Sequence, residues 1–287
     1  MANNSFKSIL HTKGWYPSNS NDLIAMIEQD LLPDITEKVP IKAVIVPHAG
    51  YVFCSKVIGA VLRYVKGQQY SRILMLGPSH YVEARGIGVV CNYDSMETIL
   101  GPVPFLKSIN TQLINTGYFV EDNNVHQPEH ALQVLFPYLR ILQPDVPVIP
   151  IIIGQLNSLE IAEISLILKH LIDDQTLIVI SSDFTHYGKR FGYLPFQASN
   201  DKAVSEGVRA IDMAAINAIL DNDVSTYDRY IKQAQPTICG RFAIQILLEI
   251  IKDKKVESSL VDYVQSGDIS RDWSHTVSYA GIRFSVS

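Results

Sequence analysis

Four runs in this chain, KAVIV (42–46), RILML (72–76), PVIPIII (147–153) and TLIVI (176–180), continue apolar from residue to residue instead of alternating with polar ones. A strand with one face in water alternates. A strand that does not is covered on both faces, as in a parallel sheet between helix layers. GIGVV (86–90), LVDYV (260–264) and VSYAGIRF (277–284) add further strand-like runs. Between them lie helical signals. NSLEIAEISLILKHLIDD offers Asn157 as N-cap and Glu160 three residues on, a capping box. The segments opening at Ser199 and Cys239 read as helices too, and so does GPVPFLKSINTQLINTG, with Pro104 near its start and Gly117 past its end. Strands alternating with helices predict an α/β fold with a largely parallel central sheet flanked by helices. No repeat, low-complexity tract or flexible linker divides the chain, so residues 1–287 are read as one domain.

Composition excludes some functions. A net charge of −5 offers no basic field for nucleic acid or an anionic membrane, and KDKK (252–255) reads as a solvated helix end. No apolar run approaches the roughly 20 residues of a membrane helix, and MANNSFKSILHTKGW is too polar for a secretory leader. Cys54, Cys91 and Cys239 are widely spaced and form no CxxC pair, which points to a reducing compartment. The expectation is a cytoplasmic protein with no nucleic-acid partner and no membrane insertion.

The apolar strands end alike. KAVIV breaks at Pro47 and delivers His48; RILML breaks at Gly77-Pro78 and delivers Ser79 and His80; TLIVI runs into Ser181, Ser182, Asp183 and His186. In an open parallel sheet, residues past the carboxyl ends of the strands face the ligand crevice. A single histidine there is commonly structural; three tips of one design point to a site. Glu129 and His130 stand at a helix start, where Glu129 complements the helix dipole and His130 either is incidental or points into the crevice. Cys239 precedes Gly240 at the opening of an apolar helix. A buried cysteine is usually a small hydrophobe, but a helix N-terminus favours the thiolate. Two imidazoles and one thiolate make a facial ligand set with open positions, suited to iron, copper or zinc. His186 is then placed as a general acid or base, oriented by Asp183.

The same residues resemble a known family. PHAGY (47–51), LGPSH (76–80), EHALQ (129–133), SSDFTHYG (181–188), TICGR (237–241), SYAG (278–281) and the N-terminal GWYP (14–17) occur in the order and spacing of the Memo family. The resemblance implies a fold similar to class III (LigB-type) extradiol dioxygenases. It implies metal ligation by His48, His80 and Cys239, functional roles for Asp183, His186 and His130, and a pocket edged by Trp15, Ser79 and Glu129. It also brings animal relatives active in cell-motility signalling, with a phosphotyrosine-peptide interaction, and microbial relatives in the AmmeMemoRadiSam grouping. The dioxygenases use a carboxylate where this chain has Cys239, so catechol cleavage does not carry over simply. A thiolate is softer and can itself be oxidised.

The sequence therefore predicts an iron- or copper-dependent redox protein acting on a small-molecule substrate. The alternative is a signalling module that binds a phosphotyrosine peptide or another protein in the same pocket. A zinc hydrolase ranks below both, since no HExxH signature supports it.

Overall fold

The computed structural model describes residues 4–35 and 39–286. In chain order its strands are β1 (Ser5–Lys7), β2 (Ile41–Val46), β3 (Arg72–Pro78), β4 (Gly88–Val90), β5 (Ser95–Thr98), β6 (Gly101–Pro104), β7 (Phe119–Glu121), β8 (Val148–Ile153), β9 (Thr176–Ser181), β10 (His186–Gly188), β11 (Val256–Gln265) and β12 (His275–Val286). The four unalternating runs form the centre of the main sheet, in the order β2-β9-β3-β8, all parallel. Its margins are mixed, antiparallel except where the edge strand β7 runs parallel to β4. β4 pairs with β8 on one side; on the other, β12 pairs with β2, β10 and β11. The α/β architecture is as expected, with a sheet that is parallel at its heart and mixed overall. β1, β5 and β6 make a separate small sheet.

Why the central runs lack alternation is visible in the packing. Val44, Val46, Ile73, Met75, Leu177 and Val179 face one layer, with the helices Ser20–Asp30, Tyr51–Leu62 and Phe136–Leu142. Their neighbours Ala43, Ile45, Leu74, Leu76, Ile178 and Ile180 face the opposite layer, with Ser158–Lys169, Asp201–Leu220 and Arg241–Ile251. Period-two geometry thus sends successive residues into two different cores. The capping box at Asn157 is present: its side chain accepts from the N–H groups of Leu159 and Glu160 at 2.9 and 3.0 Å, and Glu160 returns a bond to the Asn157 N–H.

One helix reading fails. In GPVPFLKSINTQLINTG, residues 101–104 are strand β6, and the α-helix covers only Asn110–Ile114. Pro104 ends an edge strand, a place where a missing N–H costs no ladder bond. Among the described residues no helix is long and apolar enough to cross a membrane.

Candidate metal centre

The central strands end in step: Val46 lies opposite Ser181, and Leu76 opposite Ile180. His48, His80 and the Ser181–His186 segment therefore leave the sheet at one edge. The rings of His48 and His80 stand 5.2 Å apart, nearly perpendicular. Cys239 comes from the other helix layer, and its Sγ lies 3.3 Å from His48 Nε2 across 191 residues of sequence. Gly240 makes that approach possible. A Cβ there would stand 2.5 Å from Ser182 Cβ and 2.7 Å from the Ser181 carbonyl oxygen. The Gly240 N–H instead donates to Ser182 Oγ at 3.0 Å.

Hydrogen bonding sets which nitrogen each ring offers. Ser181 Oγ donates its only proton to the Ala131 carbonyl at 2.5 Å, so it must accept from His48 Nδ1, 2.7 Å away. His48 is thereby the Nδ1–H tautomer, and its Nε2 lone pair points toward Cys239. At His80, Nδ1 lies 2.8 Å from Glu129 Oε1, and Glu129 Oε2 takes the His80 backbone N–H. A carboxylate only accepts, so His80 likewise keeps Nδ1–H and frees Nε2. Ligating histidines are commonly fixed this way through the nitrogen remote from the ion.

The donor atoms of His48, His80 and Cys239 lie within 4.8 Å of one another. Donors held about 2.1 and 2.3 Å from a single ion stand roughly 3.1–3.6 Å apart at angles between square and tetrahedral. The 3.3 Å between His48 Nε2 and Cys239 Sγ falls in that interval. That pair stands as two ligands of one ion do, and the third donor, on His80, is close enough for the three together to be able to hold a transition ion.

Electrostatics without a cation run the other way. Burial, then repulsion from His80 and the other imidazoles, pushes the His48 pKa well down and keeps the ring neutral. Burial, then the Asp183 carboxylate, pushes the Cys239 thiol up. Without a cation, burial outweighs the hydrogen bonds from Asp183, Ser182 and Gly240 that favour the thiolate. For Glu129 burial opposes ionisation, yet the hydrogen bonds from His80 and Ala131 prevail and hold its carboxyl below the usual range.

Other expected site residues fall around this centre. His130 stacks on His80 at 4.5 Å, with Trp15 also 4.5 Å away, so it faces the crevice. Burial, then His80, lowers its pKa to about 4. Among the described residues its buried Nδ1 makes no hydrogen bond, although Glu129 Oε1 lies 3.4 Å away. His186 Nδ1 lies 2.9 and 3.0 Å from the carbonyls of Phe184 and Thr237, so it carries the proton and leaves Nε2 as acceptor. Asp183 does not orient His186 by a hydrogen bond; its Oδ1 accepts the His48 backbone N–H at 2.8 Å. Ser79 lines a hollow beside Cys239, its hydroxyl tied to the Val82 carbonyl.

Two residues that sequence reasoning gave no role join the site. Ser181 sets the His48 tautomer, which depends on where the Ala131 carbonyl lies and leaves no trace in the sequence. Tyr81, 57% exposed, places its ring 5.5 Å from His130. Its position next to His80 was the available signal.

Comparison with known proteins gives consistent results. A family model described as Memo-like protein matches residues 9–283. Protein memo-1 homolog of Caenorhabditis elegans is 27% identical, over 97% of this chain and 82% of its own. Protein MEMO1 of Homo sapiens is 29% identical, over 94% of each chain. A MEMO1 family protein of Archaeoglobus fulgidus is 31% identical, over 95% of this chain and 97% of its own. Among solved structures, an uncharacterized protein, JW3007, from Escherichia coli K12 superposes with a TM-score of 0.49 at 11% identity, over 86% of this chain and all of that one. That likeness is too slight to bear on function.

Proposed function

This chain belongs to the Memo family, and from that premise we propose that it is a metal-dependent redox protein of oxidase or dioxygenase type, with one non-haem ion on His48, His80 and Cys239. The observation that carries the reading is the pair of fixed tautomers. Ser181 and Glu129 hold both imidazoles so that Nε2 is presented, and Cys239 Sγ stands 3.3 Å from one of them. Imidazole with thiolate suits iron or copper ahead of zinc, and such an ion would supply one-electron chemistry and open positions for substrate.

The chain's own residues do the rest. Asp183 holds the His48 backbone, and with it the ring, at the sheet edge. His186 is assigned as the proton acceptor, because two carbonyls occupy its Nδ1–H and leave Nε2 with a lone pair. His130 stacks on His80, and Trp15 packs against the His130 ring.

Metal content after anaerobic purification tests the assignment. The expected result is about one ion per chain in the wild type and little in Cys239→Ser; equal loading in both overturns the ligand set. Oxygen uptake by the loaded wild type separates this reading from a zinc hydrolase.

A second reading, recognition of a phosphotyrosine peptide without chemistry, is favoured by one observation. Trp15 and the exposed Tyr81 border His130 and offer a stacking surface to an aromatic ring. Calorimetry with a varied peptide panel, repeated on His48→Ala, decides it: absence of heat across the panel removes this alternative.

A further inference from the structure

Cys239 also lines a hollow of about 110 Å³ that neither His48 nor His80 lines; Ser79, Glu83, Gln155, Arg241 and Phe242 form much of its wall. Backbone fixes its shape. The Gly86 N–H donates to the Gln155 carbonyl and the Gln155 N–H to the Ala84 carbonyl, both at 2.8 Å. Gly154 sits so close to this segment that a Cβ would stand 2.5 Å from the Ala84 oxygen.

Two charged side chains face the hollow. Glu83 is already paired with Arg85. Arg241 is different: among the described residues no carboxylate lies within 4.0 Å of it and no acceptor takes its guanidinium protons. Its guanidinium carbon rests 4.4 Å from the centre of the Phe242 ring. A guanidinium stacked on an aromatic face keeps its planar fork of donors, the geometry that grips an oxyanion with two parallel hydrogen bonds.

Size narrows the ligand. A cavity of roughly 150 Å³ admits benzene, and this hollow is smaller, so it suits a short acyclic arm better than a ring. We propose that the hollow beside Cys239 is a substrate-anchoring subsite for an oxyanion, a carboxylate or a phosphate, and that Arg241 is its specificity-determining residue. The substrate is then a small anionic molecule whose other end reaches the metal centre. This deepens the redox reading and rests on it only in taking this sheet edge as the active side.

The test uses the metal-free protein, so that it does not depend on the ion. Acetate, inorganic phosphate and the neutral acetamide are titrated separately while the backbone amide resonances of Gln155 and Phe242 are followed by NMR. In the wild type at least one oxyanion shifts these resonances saturably and acetamide does not. Arg241→Gln weakens the oxyanion about tenfold or more, and Arg241→Lys restores part of the loss. The tighter of acetate and phosphate names the arm. Equal binding of acetamide, unchanged binding in Arg241→Gln, or no saturable shift with either oxyanion overturns the subsite. Loss of metal specificity at Cys239 with a retained Arg241 effect removes the redox reading and leaves the subsite; the reverse pattern removes only the subsite.

Discussion

Ser181 and Glu129 contribute no ligand atom in the proposed centre, yet they decide which nitrogen each histidine offers. Replacing Ser181 with alanine leaves the His48 Nδ1–H without its acceptor. Loss of such an outer partner typically lowers metal affinity 10- to 100-fold, and chelator competition on Ser181→Ala should show a drop of about that size. Cys54 is the control. Its thiol is buried and points to the Ala49 carbonyl at 3.1 Å, so Cys54→Ala should bind metal as the wild type does. At this scale the sequence reveals donors better than partners. His48 and His80 each follow a proline or glycine-proline break, and Cys239 precedes a glycine that only a close approach requires, so all three were legible. The acceptors of His186 were not: they are the backbone carbonyls of Phe184 and Thr237, whose positions depend on the path of two loops.

Elements move as units, which makes Gly240 a sensitive point. A methyl group there meets Ser182 Cβ and the Ser181 backbone at 2.5 and 2.7 Å, so the helix Arg241–Ile251 must back away and take Cys239 with it. Overpacking of this kind costs about 1–3 kcal/mol. Gly240→Ala should lower the melting temperature and also abolish metal binding. Asn157→Ala is the informative contrast: it removes a cap worth about 1 kcal/mol at a remote helix start, and should lower stability while metal binding persists. The two elements differ in how readable they were. Asn157 and Glu160 act on their own helix, so spacing revealed the box. Pro104 fits a helix start and an edge strand equally well, and only its pairing with Ser95 chooses between them. The antiparallel β11–β12 pair was in principle readable, because residues 266–274 are too few for a parallel crossover.

Stability of the whole molecule should depend on acidity through His126. This ring is 4% exposed, and its Nε2 lies 2.8 Å from the Val89 carbonyl. Burial lowers its pKa to about 4, against a partial opposing effect of that hydrogen bond. In the unfolded chain the value returns to about 6.5. Between these limits the unfolded state binds more protons, so the contribution is complete above pH ~6.5 and drains away as pH falls toward 4. The full span is on the order of 3 kcal/mol. Urea unfolding at pH 7 and pH 4.5 should show the decline, and His126→Gln should remove the His126 share of it while His48 and His130 keep theirs.

Cys239 follows His48 by 191 positions, and that separation also sets a schedule for biogenesis. During synthesis both imidazoles emerge from the ribosome long before the sulfur is made. In the proposed centre a nascent polypeptide therefore offers an ion at most two of three donors until Cys239 has emerged and the helix Arg241–Ile251 has packed.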